Sequence, residues 1–391
     1  MIKVLELFLL GTGYHRRTSF SAATRYAAFL LYKNRLNNQP TVSLYRGMSY
    51  HDKVVDMIFG RWRSQIVYSG VKLGIFDFVN SSPKSAAEIA RELGLDPALS
   101  YRLLRALGSI GLLLEDHDRR FSITPMGELL CSNNPQTLRG VALLEEGPEH
   151  YAVWKHLTAM IKDGKQDGFA REFGQRIFEY AADHPSYAEV FNQAMSSYSA
   201  SQTRWVLEAL DGYDFSKIRH VCDVGGGHGH LLCSLLLKHP HLRGTVLDMK
   251  QVIQDKTLLW ANKMGIAADR CNYIGGDMFS DVPSSDAYFM KMILHDWDDK
   301  ECLGILSNIQ SKSSSLNTAN STRLFIIEHV VPGPETPHFS KLFDIHMMCA
   351  LTGKERTEEE YLTLLKQAGF KHVRTHFPPS RVMGVIEAIK A

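Results

Sequence analysis

The chain has 391 residues, 45% of them hydrophobic, with 44 Lys and Arg against 42 Asp and Glu. That length accommodates two or three domains of roughly 150 residues each, and the near-neutral balance gives no general electrostatic pull toward nucleic acid. No run approaches the roughly 18 apolar residues needed to cross a bilayer, so no membrane role is expected.

Residues 1–47 form a basic N-terminal extension, with seven cations (Lys3, Arg16, Arg17, Arg25, Lys33, Arg35, Arg46) against one acid, Glu6. The segment is amphipathic around Val4, Leu5, Phe8 and Leu9. It has three readings: an arm packed on the body or on a partner subunit, an organelle-targeting segment, or an upstream start ahead of Met48.

Residues 48–135 read as a winged-helix domain. Apolar residues at helical spacing (Ile66, Val67, Val71, Ile75) lead into a capping box, Ser85 with Glu88, that opens a helix over 86–93. Gly94 closes it, and Asp96 with Pro97 opens a second helix running through 107. Short strands at 112–114 and 121–123 flank the charged turn 115–120. The unit invites a DNA-binding reading, yet its second helix offers only Arg102 and Arg105 among Leu99, Leu103, Leu104, Ala106 and Leu107. A helix that reads a groove needs several basic and amide side chains on its outer face. The expectation is a packing or dimerisation role and no nucleic-acid partner.

Residues 136–210 read as a helical connector rich in aromatic residues (Tyr151, Trp154, Phe169, Phe173, Phe178, Tyr180, Tyr187, Phe191, Tyr198). Such density suits either plain core or the wall of a pocket for a flat ligand. From 211 to 391 strands and helices alternate, the signature of an α/β fold with a Rossmann-like parallel sheet. Strands are expected at 219–224, 244–248, 272–275, 286–292 and 323–329, with a terminal hairpin of 371–377 and 381–388. Helices are expected at 230–239, 250–264, 298–310 and 357–368, and a polar loop at 311–322. Six cysteines (Cys131, Cys222, Cys233, Cys271, Cys302, Cys349) form no C-x-x-C pair and read as reduced core residues of a cytoplasmic protein.

The sharpest feature is the stretch 221–229, VCDVGGGHG, a strand entering a glycine loop. Gly225 and Gly227 let the backbone turn sharply and approach a ligand without a Cβ in the way. A dinucleotide fingerprint would need glycine where the chain has His230 or Leu232, and a P-loop would need Gly-Lys-Ser/Thr, which does not follow. Asp248 ends the next strand, where a carboxylate can accept from both hydroxyls of a ribose. Asp277 can accept from an adenine amino group while Met278 covers the ring. An adenosine cofactor without a pyrophosphate is implied, and S-adenosylmethionine fits that description.

Six motifs in order, VCDVGGGHG, TVLD, GGDMF, FMKMILHDW, IIEHVVPG and TGKERT, resemble those of the class I, caffeate-type small-molecule O-methyltransferases, from about residue 54 to the C-terminus. The resemblance implies a homodimer through the N-terminal domain. It also implies a metal-independent transfer from S-adenosylmethionine to a phenolic hydroxyl of a small aromatic secondary metabolite, leaving S-adenosylhomocysteine. It makes His295 the general base, with Glu328 and Glu355 as the carboxylates that steady it. Lys291 and Ser199 fall on the cofactor side, Met195 and Trp154 on the substrate side, and Asp296 reads as a helix cap or a support for the base. Where plant members often carry asparagine and paired glycines before KERT, residues 349–353 read CALTG, so a hydrogen bond to a plant-type acceptor is expected to be absent. No His/Cys spacing or carboxylate–amide cluster suggests a metal. Two alternatives stand beside this reading: the same fold performing N- or C-methylation or cofactor-assisted hydroxylation, and a ligand-sensing winged-helix regulator marked by salt-sensitive duplex binding.

Overall fold

A computed structural model describes residues 48–313 and 321–391, so the extension 1–47 and most of the 311–322 loop lie outside the described residues. The chain divides after Arg61 into two units. In the first, Ser49 and Asp52 cap each other's backbone and open the helix Tyr50–Ile58.

The second unit begins with the expected winged helix. Ser85 Oγ accepts from the Glu88 amide at 3.2 Å while Glu88 Oε2 accepts from the Ser85 amide at 2.6 Å, and the helix Ala86–Leu93 starts there. Asp96 caps Pro97–Ser109 through the Leu99 amide at 2.8 Å. The wing is an antiparallel sheet of β1 (Lys84–Ser85), β2 (Leu113–Glu115) and β3 (Arg120–Ile123), in the order β1-β3-β2. Ile75, Phe76, Ile89, Leu104, Leu107 and Phe121 form its buried centre. Arg105, one of the two cations on the second helix, lies over the Tyr101 ring at 5.1 Å. That guanidinium serves an intramolecular contact.

The large sheet comprises β4 (His220–Val224), β5 (Arg243–Asp248), β6 (Cys271–Gly275), β7 (Ala287–Lys291), β8 (Arg323–Glu328), β9 (Phe370–His376) and β10 (Gly384–Lys390). Their order is β6-β5-β4-β7-β8-β10-β9, with β10 antiparallel to both neighbours and the first five parallel. The expected strands form within one residue of their expected limits except the last, expected over 381–388, which runs Gly384–Lys390. Chain order reverses at β4, between β5 and β7, and the crevice beyond the carboxyl ends of those strands is where open α/β sheets hold ligands.

Three expectations need correction. The helix expected over 250–264 is two short ones, Lys250–Ile253 and Trp260–Lys263. Asp255 interrupts it by accepting from both the amide and hydroxyl of Thr257, a local bond that competes with the helix. The cap of Asp299–Ser313 is Asp298, whose Oδ1 accepts from the Glu301 amide at 2.8 Å, rather than Asp296. The helix Phe339–Ala350 was not foreseen, because Pro332, Pro334 and Pro337 precede it and its cap is the uncommon His338.

Part of the aromatic connector is plain core. Phe169, Phe173, Tyr180 and Tyr187 pack on one another with ring centroids 4.7 to 5.8 Å apart. Trp154, by contrast, is 42% exposed with its ring 6.2 Å from that of His346, and Phe178 stacks on Trp297 at 5.7 Å.

Candidate active site

The glycine loop leaves β4 with Gly225, Gly227 and Gly229 all in the left-handed region, at φ 67°, 58° and 85°. A Cβ on Gly225 would overlap the Ile293 side chain, whereas one on Gly227 would meet no atom within 4 Å. Room for a ligand therefore lies on the Gly227 side. Asp248 shapes the loop by accepting from the Gly227 amide at 2.7 Å and, through its other oxygen, from the Met249 amide at 2.7 Å. Each oxygen retains a lone pair for a ribose hydroxyl.

Asp223 lies behind the same loop, in the middle of a strand of otherwise apolar character, and both its carboxylate oxygens are buried without a hydrogen-bond partner. Burial pushes its carboxyl up to about 7, against the pull of the Lys291 ammonium. A buried acid without a partner is costly unless a ligand supplies a donor. The donor set, an unpartnered acid behind a glycine loop and a second acid at the next strand end, fits an amino-acid-bearing adenosine cofactor.

The long helix Pro185–Ala209 closes over this region. Its Gln202 Oε1 accepts from Lys291 Nζ at 2.8 Å, with Ser199 Oγ at 3.5 Å, and its Thr203 Oγ1 lies 2.8 Å from His230 Nδ1. Burial holds the Lys291 ammonium below the usual lysine range, with Asp223 and Glu328 opposing. Met195, on the same helix, is 37% exposed. Beyond β6, Asp277 is exposed and accepts from the Phe279 amide and the Ser280 hydroxyl, and Met278 packs half-buried beside it.

His295 lies in a tight turn, Leu294–Asp296, just past β7. Met292 enters that turn at φ 56°, a left-handed conformation uncommon for a non-glycine residue. Three contacts hold the turn in place. Glu328 Oε1 accepts from the amides of Ile293 (3.1 Å) and Leu294 (2.9 Å). Arg356, fully buried, donates to the carbonyls of Leu294 (2.8 Å) and Trp297 (3.0 Å) and to Asp299 (2.7 Å). Gly353 lies so close that a Cβ would overlap the His295 carbonyl oxygen.

The imidazole is 5% exposed and its Nδ1 lies 2.7 Å from Glu355 Oε1. Nδ1–H is the natural donor in that pair, which leaves the lone pair on Nε2, 3.3 Å from Asp296 Oδ1. Of the two carboxylates expected to steady the ring, only Glu355 bonds it; Glu328 grips the backbone beneath it. Burial pushes the carboxyls of Asp296 and Glu328 up to about 7, and burial with the Asp344 charge raises Glu355 well above the carboxylate range. Phe343 packs against the ring at 5.8 Å.

Glycine loop, strand-end acid and buried His–Glu pair occur here in one order along one sheet edge. Residues 154–371 match the O-methyltransferase domain family and residues 55–133 its dimerisation domain. The chain belongs to the O-methyltransferase family. Phenazine O-methyltransferase PhzM of Lysobacter antibioticus is 37% identical over 86% of this chain and 95% of its own length. The solved structure of LaPhzM superposes with a TM-score of 0.81 at 35% identity, covering 88% of this chain and 100% of that one. NcsB1 from neocarzinostatin biosynthesis, solved with S-adenosylmethionine and 2-hydroxy-5-methyl naphthoic acid, superposes with a TM-score of 0.69 at 26% identity, covering 84% and 96%. This O-methyltransferase is an enzyme with S-adenosylmethionine as its cofactor. No helix among the described residues is long and apolar enough to cross a membrane.

The structure adds residues to the site that sequence reading left out. Asp223, Gly353 and Arg356 lie inside the motifs VCDVGGGHG and TGKERT but carry no assigned role there. Gln202 and Phe343 carry no local signal, because each acts on a segment distant in the chain.

Proposed function

We propose that this O-methyltransferase methylates a phenolic hydroxyl of a small aromatic metabolite, with His295 as general base. The observation that carries the reading is the buried 2.7 Å contact of His295 Nδ1 with Glu355, one turn past β7 and beside the glycine loop. S-adenosylmethionine, when bound, supplies an electrophilic methyl group. Gly225, Gly227, Asp248, Asp277 and Met278 hold its adenosine side, with Asp223, Lys291 and Ser199 toward the amino-acid side. His295 Nε2 takes the phenolic proton, and Glu355 stabilises the imidazolium that results, a contribution of about 10²- to 10⁴-fold. Glu328 and Arg356 keep the turn from moving as that charge develops. Met195 and Trp154 border the acceptor. This chemistry at the base draws on no metal.

The match of residues 55–133 to a dimerisation domain supports a homodimer. Six free, buried cysteines support residence in a reducing cytoplasm. The names of the relatives include both fused and single-ring aromatic acceptors, so both belong in the test.

The test is incubation with S-adenosylmethionine and a panel of hydroxyphenazines, hydroxynaphthoic acids and simple phenols, read by mass for addition of one CH₂. Methylation at oxygen by the native protein, reduced at least about 100-fold in His295→Ala with S-adenosylhomocysteine binding unchanged, is the expected result. Full turnover by His295→Ala would remove the base from the mechanism, and methylation confined to amines would move the reaction to nitrogen.

A further inference from the structure

A second set of titratable side chains converges away from His295. Glu145 ends the helix Arg139–Glu145, His150 lies in Pro148–Val153, and His346 in Phe339–Ala350. His150 and His346 are 3% and 8% exposed. Glu145 Oε2 lies 3.6 Å from His150 Nδ1 and 3.5 Å from His346 Nε2, and the three ligand-type atoms fall within 4.8 Å of one another.

These separations are too long for good hydrogen bonds. His150 Nδ1 is in fact buried with no hydrogen-bond partner. The outward-facing atoms, in contrast, are tied down. His150 Nε2 lies 2.9 Å from the Tyr187 hydroxyl, and Glu145 Oε1 accepts from the Tyr198 hydroxyl at 2.9 Å. The His346 ring stacks on Phe343 at 5.5 Å. The three atoms thus lie close to a common point, and His150 and Glu145 are oriented by hydrogen bonds at their other ends, which is how metal-binding imidazoles and carboxylates are usually held.

The two carboxylate–imidazole separations also fit a metal. Ligand atoms about 2.0–2.2 Å from zinc at tetrahedral angles lie about 3.3–3.6 Å apart.

We propose that Glu145, His150 and His346 form a binding site for a zinc-class divalent transition metal on the acceptor side of the enzyme. Two imidazoles and one carboxylate complete three positions and leave at least one for water. Glu145, 26% exposed, provides the approach. The Phe343 ring packs against both His295 and His346, so the ion sits across one aromatic ring from the base and outside its proton path. Sequence spacing could not reveal the site, because its third ligand comes from a different part of the chain.

The full-length enzyme, stripped with chelator and exchanged into chelator-free buffer, is titrated with Zn²⁺ and its bound metal counted; Co²⁺ serves as the spectroscopic probe. One ion per chain is expected, with the visible ligand-field bands of a four- or five-coordinate Co²⁺ site. His346→Ala and Glu145→Gln should each weaken binding at least about tenfold, and Tyr187→Phe by a smaller factor. A thermal shift with S-adenosylhomocysteine confirms that each variant is folded, and the native Co²⁺ spectrum tests the site without any variant. Less than a tenth of an ion per chain, an octahedral aqua-like Co²⁺ spectrum, or equal uptake by folded His346→Ala would overturn the proposal.

Discussion

Gly353 packs its backbone against the carbonyl of His295, leaving no space for a side chain between the segment before Arg356 and the turn that carries the imidazole. Gly353→Ala must therefore push one backbone away from the other. The expected outcome is a loss of about 100-fold in kcat, since displacing a catalytic group by about 1 Å costs that much, with a stability loss of about 1–3 kcal/mol. Kinetics and denaturant unfolding on the same preparation separate the two effects. A variant with native kcat would show that the turn tolerates the shift.

Glu355→Gln tests the partner of the ring. The amide preserves size but removes the charge and can present the wrong hydrogen-bonding group to Nδ1. A fall in kcat of about 10²- to 10⁴-fold is expected, with cofactor-product affinity by calorimetry unchanged. Glu328→Gln, acting through the backbone of Ile293 and Leu294, should cost less than Glu355→Gln. Reversal of that order would mean that Glu328 is the group that meets the imidazolium.

Arg356→Ala leaves the carbonyls of Leu294 and Trp297 without their buried donor. Destabilisation on the order of 3 kcal/mol is expected. Arg356→Lys recovers only part of it, since one ammonium cannot reproduce a planar fork. Urea denaturation midpoints at equal m-value report both.

Asp223 makes the stability of the fold depend on pH. Its carboxyl is raised to about 7 in the folded protein against an ordinary value near 4, so between those limits the native state holds a proton that the unfolded chain has released. Stability from this group is thus full below pH 4 and is lost as pH rises toward 7. The buried imidazoles of His230 and His329, held down to about 4, work in the opposite sense between pH 4 and 6.5. The informative quantity is therefore the Tm of Asp223→Asn minus that of the native enzyme, which should be larger at pH 8 than at pH 5 in the absence of ligand. The same variant should bind S-adenosylhomocysteine about 10- to 100-fold more weakly. A difference in Tm independent of pH would mean that Asp223 finds a partner in the free enzyme.

What the sequence could reveal depended on distance along the chain. The Ser85 capping box, the glycine loop and the Asp248 strand end are encoded within a few residues, and they form as read. The division of labour between Glu328 and Glu355 depends on which of two strand-end acids reaches a ring and which reaches a backbone, and the choice is made by packing between segments far apart. Asp255 likewise broke an expected helix through a bond to Thr257 that apolar periodicity does not record. The helix Phe339–Ala350 has no ordinary cap to mark it in the sequence, so Phe343 and His346, which it carries, have no local signal either.

The helix Pro185–Ala209, 25 residues and so about 37 Å long, runs past every part of the site. Near its start Tyr187 bonds His150; midway Met195 and Tyr198 adjoin the acceptor side; toward its end Ser199, Gln202 and Thr203 grip Lys291 and His230. A rod of this kind cannot tilt at one end alone. Side chains that hold Lys291 and those that orient the Glu145–His150 pair thus hang from one rigid element, so a substitution that bends it midway should disturb both ends.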